Sequence, residues 1–476
     1  MPTLVRFIEL FRPLAGFVPT VTGPERKVSF NEKLFWTVMV LIGYLVMTEI
    51  PLYGVGGAGA EDPFSAMRVI FASERGTLME LGIGPIVTAG LILQVLAGSQ
   101  MIKVDFTNPQ DRSLFTTASK VLSILMYVFQ ISAYMLAGAF GTTITAQTGF
   151  VIVIQLISAG IVLILLDELL QKGWGLGSGI SLFIVAGVAQ RILWDSLAPM
   201  GPMSDKKYLG AIVAFAQSVW SSSGIWGMLH RPEGLPDMIG LLTTLAVFAT
   251  IIYIDGLRVE VPVSHARFRG FRGRFPIKLL YVSNIPVIFT AALFGNIYFI
   301  TQLIWSRYNQ SGTNFWLNLL GVFQAQGQRY EPTQGLAYYV VSPRTLENVV
   351  QDPIRALVYA AMMMTICVFF SMTWIEVGGM DARTVAKQLV DSGMQIEGFR
   401  RSYAPVQQVL SRYIPTVTVL GGLVVGAIAS FADFLGAFGS GMGILLSIGI
   451  IQQYYQILAQ ERISELYPAV RTLLGK

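Results

Sequence analysis

The chain has one cysteine, Cys367, so no disulfide can form within it, and its two histidines, His230 and His265, stand far apart. Zinc and iron-sulfur centres need clustered Cys and His. That raw material is missing, and no metal or other cofactor is expected. Charge is scarce as well: Asp, Glu, Lys and Arg make up 13% of residues, against roughly 25% in soluble domains. The net charge of +5 is too small an excess to argue for a nucleic-acid groove. Within the long apolar runs no ionisable residue falls near the middle; Glu49, Glu80, Asp255, Glu376 and Asp433 lie toward the ends. Ion-coupled and proton-coupled carriers usually keep a charge at mid-membrane despite its cost, so a pump is disfavoured. No histidine or carboxylate pair converges in sequence with a nucleophile, and an enzyme is not expected.

What the chain does have is apolar sequence: 53% hydrophobic residues over 476, with a mean hydropathy of +0.60. A helix of about 20 apolar residues crosses a hydrocarbon core of about 30 Å. Ten such windows appear, at 34–53, 78–97, 114–139, 148–166, 176–193, 238–254, 277–303, 354–377, 414–431 and 435–457. The expected class is therefore an all-α integral membrane protein. Most Lys and Arg fall on the side of the N-terminus, which the positive-inside rule assigns to the cytoplasm, with both termini there. Leu4, Phe7, Phe11 and Leu14 recur at helical spacing, and residues 1–33 read as a cytoplasmic segment opening with a short amphipathic surface helix. They hold no uninterrupted apolar stretch of the kind a cleaved signal peptide needs.

Ten spans divide into halves at 34–193 and 238–457, separated by a long outer connection, 194–237. Five spans per half insert the second half inverted relative to the first, an arrangement that commonly places a pathway between halves. Between the first two spans a half-length segment, about 62–75, starts at Asp62-Pro63 and stops near Gly76. It is either an outer loop element or a re-entrant helix, and re-entry demands protein or water around the backbone. The run Gly173-Trp174-Gly175-Leu176-Gly177-Ser178-Gly179 lacks the Lys-Ser/Thr of a phosphate loop, so it reads as a hinge or close helix contact. Two cytoplasmic loops, 256–277 and 378–413, are rich in arginine. They serve either topology and anionic lipid or docking of something large and anionic, such as ribosomal RNA.

Several motifs then align in order: Pro24-Glu25-Arg26-Lys27; Asp167-Glu168-Leu169-Leu170 leading into Gly175 and Ile180-Ser181; Pro276-Ile277-Lys278 before Tyr281 and Ile285-Pro286; Gly335-Leu336-Ala337-Tyr338-Tyr339; and Gly393-Met394 through Gly398-Phe399-Arg400. Through essentially its whole length the chain resembles the SecY-type protein-conducting channel, large subunit of the general translocon, of the archaeal and eukaryotic branch.

The resemblance implies ten helices in two pseudo-symmetric inverted halves around an hourglass pore, with a re-entrant plug carrying Phe64, Met67, Ile70 and Phe71. It assigns an apolar pore ring to Ile83, Val87, Leu176, Ile180, Ile288 and Leu446. The pairs Ile83/Val87 and Leu176/Ile180 are each spaced i, i+4 and are expected to share a helix face. Thr88, Gln94, Asn284 and Asn296 become lateral-gate candidates, and Arg267, Arg269, Arg272, Arg274, Arg400 and Arg401 the docking surface for a ribosome or other cytoplasmic driving partner. Further implied partners are small single-span SecE-type gamma and beta subunits, signal sequences, nascent secretory and membrane proteins, and the lipid bilayer. The expected membrane is an archaeal plasma membrane, with the endoplasmic reticulum as the alternative. The rival reading is a secondary transporter for a small neutral solute, consistent with inverted halves and interrupted spans.

Overall fold

The computed structural model describes residues 13, 16, 18–55, 72–98, 101–102, 104, 108–136, 140, 145–203, 205–220, 229–231, 235–265, 272–282, 285–310, 312–326, 329–396 and 402–466. The amphipathic reading of residues 1–12 and the plug residues Phe64, Met67, Ile70 and Phe71 lie outside them, as do Asn284, Arg267, Arg269, Arg400 and Arg401.

Twelve helices carry the description: α1 (Phe30–Glu49), α2 (Gly84–Gly98), α3 (Pro109–Leu136), α4 (Ala146–Leu169), α5 (Gly179–Leu197), α6 (Ala211–Trp220), α7 (Met238–Gly256), α8 (Ile285–Tyr308), α9 (Pro353–Val377), α10 (Ala382–Asp391), α11 (Tyr403–Phe434) and α12 (Gly441–Leu466). Among the described residues nine helices are long and apolar enough to span a bilayer, and α2 is a shorter apolar one. Local chemistry sets their starts. Ser29 and Glu32 close a capping box on α1, Asp237 accepts from the Gly240 amide at α7, and Asp352 caps α9 ahead of Pro353.

The spans turn apolar side chains outward. On α1, Phe35, Val38, Met39, Ile42 and Val46 are exposed, whereas Thr37, Tyr44 and Thr48 are buried. In lipid an exposed apolar face costs nothing, and the polar groups find partners inside.

Three features refine the expected architecture. The second span was expected as a helix over 78–97, but α2 begins only at Gly84, after turns in which Gly76 and Gly82 take positive φ. The seventh, expected from 277, begins at Ile285, because residues 272–278 form a strand. The fold is also not wholly helical. β1 (Arg258–His265), β2 (Arg272–Lys278), β3 (Val322–Gln326), β4 (Arg329–Gln334) and β5 (Met394–Ile396) build a three-stranded sheet, order β2-β1-β5, and a β3-β4 hairpin.

Two cores result. The larger lies among the spans, and a second, containing Val261, Ile277, Val385, Leu389, Val406 and Leu410, lies where the three-stranded sheet and α10 pack on the first half of α11.

One sequence element occurs twice. Gly177-Ser178-Gly179 leads into α5 and Gly439-Ser440-Gly441 into α12, with Gly177 at φ +70° and Gly439 at φ +74°. In both places a buried aspartate at the end of the preceding span holds the new helix. Asp167 accepts from Ser178 Oγ at 3.0 Å and from the Ile180 amide at 3.1 Å. Asp433 accepts from the Gly441 amide at 2.6 Å and Tyr359 Oη at 2.9 Å. These are the fourth-to-fifth connections of the two halves, so the inverted repeat is written in matching caps.

Candidate functional site

Five expected ring residues belong to the large apolar core among the spans: Ile83, Val87 and Leu446 are buried in it, and Ile180 and Ile288 are half-buried and packed against it. Each stands at or near the start of a helix. The Ile83 carbonyl accepts the Val87 amide at 3.0 Å, opening α2, so this i, i+4 pair holds. Ile180 is the second residue of α5, Ile288 lies in the first turn of α8, and Leu446 in the second turn of α12. The expected helix pairing of Leu176 with Ile180 does not form. Leu176 precedes α5 across Gly177 and an extended Ser178, so it shares no helix face with Ile180. It is buried outside that core, its amide donating to Thr37 Oγ1 of α1 at 3.0 Å.

The turns that lead into these helices carry backbone groups that lipid could not satisfy. Side chains from other helices satisfy them here. Tyr127 Oη donates to the Gly82 carbonyl at 2.7 Å, and Tyr454 Oη of α12 to the Ser178 carbonyl at 2.8 Å. The Phe438 amide donates to Thr244 Oγ1 at 2.9 Å. Ala72, near the end of the expected plug segment, is buried in the same core as the ring, and its carbonyl accepts from Tyr44 Oη at 3.1 Å.

At the seam between halves Asn296 Nδ2 on α8 donates to Thr88 Oγ1 on α2 at 3.0 Å and to the Ala292 carbonyl at 2.8 Å. Tyr134 of α3 and Phe299 of α8 also meet, their rings tilted by 30° with centroids 5.3 Å apart. Gln94 is not part of this pair; its buried Oε1 meets no hydrogen-bond donor among the described residues.

The two arginine-rich loops meet through the sheet: Val263, Ser264 and His265 of β1 pair with Ile396, Gln395 and Met394 of β5. Arg272 begins β2 opposite Ser264. Arg274 is exposed and ion-paired with Glu260 on β1. The hydrogen bond to Glu260 and its charge raise the Arg274 pKa further above its ordinary value. The sequence signal for β1 is the alternation Val259, Val261, Val263.

Three anchors were not foreseen. Glu168 accepts from Lys120 Nζ of α3 at 2.6 Å and from the Val21 amide at 3.0 Å, tying the segment before α1 to the bundle. Asp167 caps α5, as above. In the outer connection Arg231, 4% exposed, donates to both Asp205 oxygens at 2.8 and 3.1 Å and to the Leu209, Pro236 and Tyr208 carbonyls. Burial pushes the Asp205 carboxyl up, but hydrogen bonds from Arg231 and the Lys207 amide outweigh it and hold the group below its ordinary value.

Comparison with known proteins gives this architecture relatives over nearly its whole length. The SecY family profile matches residues 77–455, and that of the plug domain of Sec61p matches residues 44–76, which include the expected plug residues. The chain is 43% identical over 466 residues to protein transport protein Sec61 subunit alpha of Dictyostelium discoideum, covering 96% of this chain and 97% of the relative. Among solved structures, a protein-conducting channel superposes with a TM-score of 0.82 at 38% identity, over 96% of this chain and 99% of that one. Sec61 in the canine ribosome-channel complex from the endoplasmic reticulum gives 0.79 at 38% identity, with the same coverage. A ten-span bundle with caps repeated in inverted halves, matched end to end by such channels, places this chain in the SecY family of multi-pass, protein-conducting membrane channels, a transport family rather than an enzyme class.

Proposed function

We propose that unfolded secretory polypeptide passes between the halves through a collar formed by Ile83, Val87, Ile180, Ile288 and Leu446, and that apolar segments leave sideways at the α2–α8 seam. The observation that carries this is the membership of those five side chains, from α5, α8, α12 and the start of α2, in one apolar core. An ion in such a collar loses hydration and gains no replacement ligand, so the collar seals by dewetting. A polypeptide brings its own backbone, and apolar contacts do not select one sequence. Leu176, the sixth residue of the expected ring, is buried just ahead of α5 and is proposed to line the same passage.

The halves are 34–193 and 238–457, joined by 194–237. The segment at 62–75 acts as the plug, a role favoured by the burial of Ala72 beside the collar. Thr88 and Asn296 form the gate's polar latch, and Gln94 and Asn284 remain candidates for further polar pairing at the gate. Arg267, Arg269, Arg272, Arg274, Arg400 and Arg401 dock the driving partner, and β1–β5 pairing favours treating both loops as one surface. The ribosome is the partner in mind: a canine Sec61 and a yeast Ssh1 complex, both similar to this chain, were solved with ribosomes. Small gamma and beta subunits complete the assembly. The Dictyostelium and canine relatives favour the endoplasmic reticulum over the plasma membrane.

Reconstitution tests the reading against the small-solute carrier. In vesicles holding the channel complex, a ribosome-bound secretory chain should become protected from added protease. Saturable uptake of a small solute without such protection would overturn it.

A further inference from the structure

We propose that α6, in the outer connection between the halves, is an interfacial helix seated in the outer leaflet of the bilayer. Its sequence, Ala211-Ile212-Val213-Ala214-Phe215-Ala216-Gln217-Ser218-Val219-Trp220, contains no charged residue. Ala211, Ala214 and Ser218 are buried, and α6 packs against both α5 and α7. The other face presents Ile212, Ala216, Val219 and Trp220 at i, i+4, i+7 and i+8, with Val219 52% and Trp220 93% exposed. A helix bathed in water on that side carries polar residues there. This one carries an apolar stripe ending in tryptophan, the residue enriched at the membrane-water boundary.

Its position supplies the occupant. The Gly210 amide donates to the Ala198 carbonyl at 2.9 Å and the Leu209 amide to the Met200 carbonyl at 2.6 Å. The chain therefore doubles back at the end of α5, and α6 begins level with the outer end of that span. The neighbouring surfaces are lipid-facing: Leu193, Trp194 and Leu197 are exposed on the last turns of α5, and Leu242 and Leu245 on the first turns of α7. The α6 stripe continues this apolar surface. Lys206, in the preceding loop, is exposed and contrasts in character with this apolar surface, as a charged group in water. The last span of one half and the first of the next are thereby tied to lipid at the point where the chain joins them.

The test is nitroxide labelling of the full-length chain, in its complex, reconstituted in phosphatidylcholine vesicles. Cys367 is buried and stays unlabelled, so a single cysteine at Val219 reports the stripe and one at Lys206 serves as the aqueous reference. The expected result at Val219 is high collision with oxygen and low collision with a water-soluble nickel complex, at a depth of about 5–10 Å. Trp220→Asp should shift that label toward water. Nickel accessibility at Val219 equal to that at Lys206 would show a water-facing helix and overturn the proposal. Low accessibility to both reagents would mean that protein covers the stripe, which overturns it equally.

Discussion

Asn296 Nδ2 lies 3.0 Å from Thr88 Oγ1, so a single amide on α8 holds a hydroxyl on α2 across the boundary between the halves. Interhelical hydrogen bonds in membranes contribute roughly 0.6 to 2 kcal/mol, small enough for an entering apolar segment to replace. Asn296→Leu should shift the closed-to-open balance toward open by a factor of roughly 3 to 30. The change should appear as passage of chains with weakened signal sequences. Unaltered signal selectivity in a folded variant would remove the latch from the account.

The collar is best probed at its half-buried members. Fully buried large-to-small changes at Ile83 or Leu446 would cost about 2–5 kcal/mol of stability, confusing a leak with unfolding. Ile180→Gly and Ile288→Gly cost less and still open the constriction. Resting ion conductance in planar bilayers should rise several-fold, more in the double variant than in either single one. A folded double variant that leaks no more than the parent would mean that these residues only pack.

Arg231 and Asp205 make the outer connection sensitive to acid. The Asp205 carboxyl is held below its ordinary value in the fold. A depressed folded pKa stabilises the folded form above the ordinary value, about 3.9, and the contribution is lost as pH falls through the folded one. Exchange protection over residues 205–220 and 235–237, corrected for intrinsic rates, should hold at neutral pH and fall below about pH 4. Asp205→Asn should lower protection at neutral pH and abolish this step. Arg231→Met, which leaves the half-buried Asp205 carboxylate and three backbone carbonyls without their shared donor, should also loosen the connection. A pH-independent connection in the parent chain would contradict the assignment.

Arg274 is exposed but already paired with Glu260. If this face docks an anionic partner, Glu260→Gln should tighten ribosome binding and Arg274→Glu weaken it, both effects shrinking as salt rises. Equal affinity of all three forms at moderate salt would take Arg274 out of the docking surface.

Much of this architecture is legible in the sequence because lipid imposes a simple rule: long apolar runs become helices, and polar positions such as Thr37, Tyr44 and Thr88 turn inward. Hydropathy cannot see where a helix begins inside an apolar run. The start of α2 at Gly84 and the isolation of Leu176 depend on positive-φ glycines at Gly82 and Gly177 and on hydroxyls arriving from other helices. The alternation of Val259, Val261 and Val263 signals a strand, but its pairing with β5 joins residues more than a hundred positions apart and leaves no local signal. Arg231 gives no local signal, since Asp205 is distant in the chain. The doubled Gly-Ser-Gly was visible all along; what it caps required Asp167 and Asp433 to be placed.

The most direct test of the conduit puts one cysteine at Ile288, in a chain whose Cys367 is replaced by serine, and another in a secretory polypeptide halted midway on a stalled ribosome. The account predicts a disulfide between the two at Ile288, and likewise at Ile83 or Leu446 when the channel cysteine is moved there. No bond at any of the three, in a complex where the halted chain is engaged, would contradict passage through this collar.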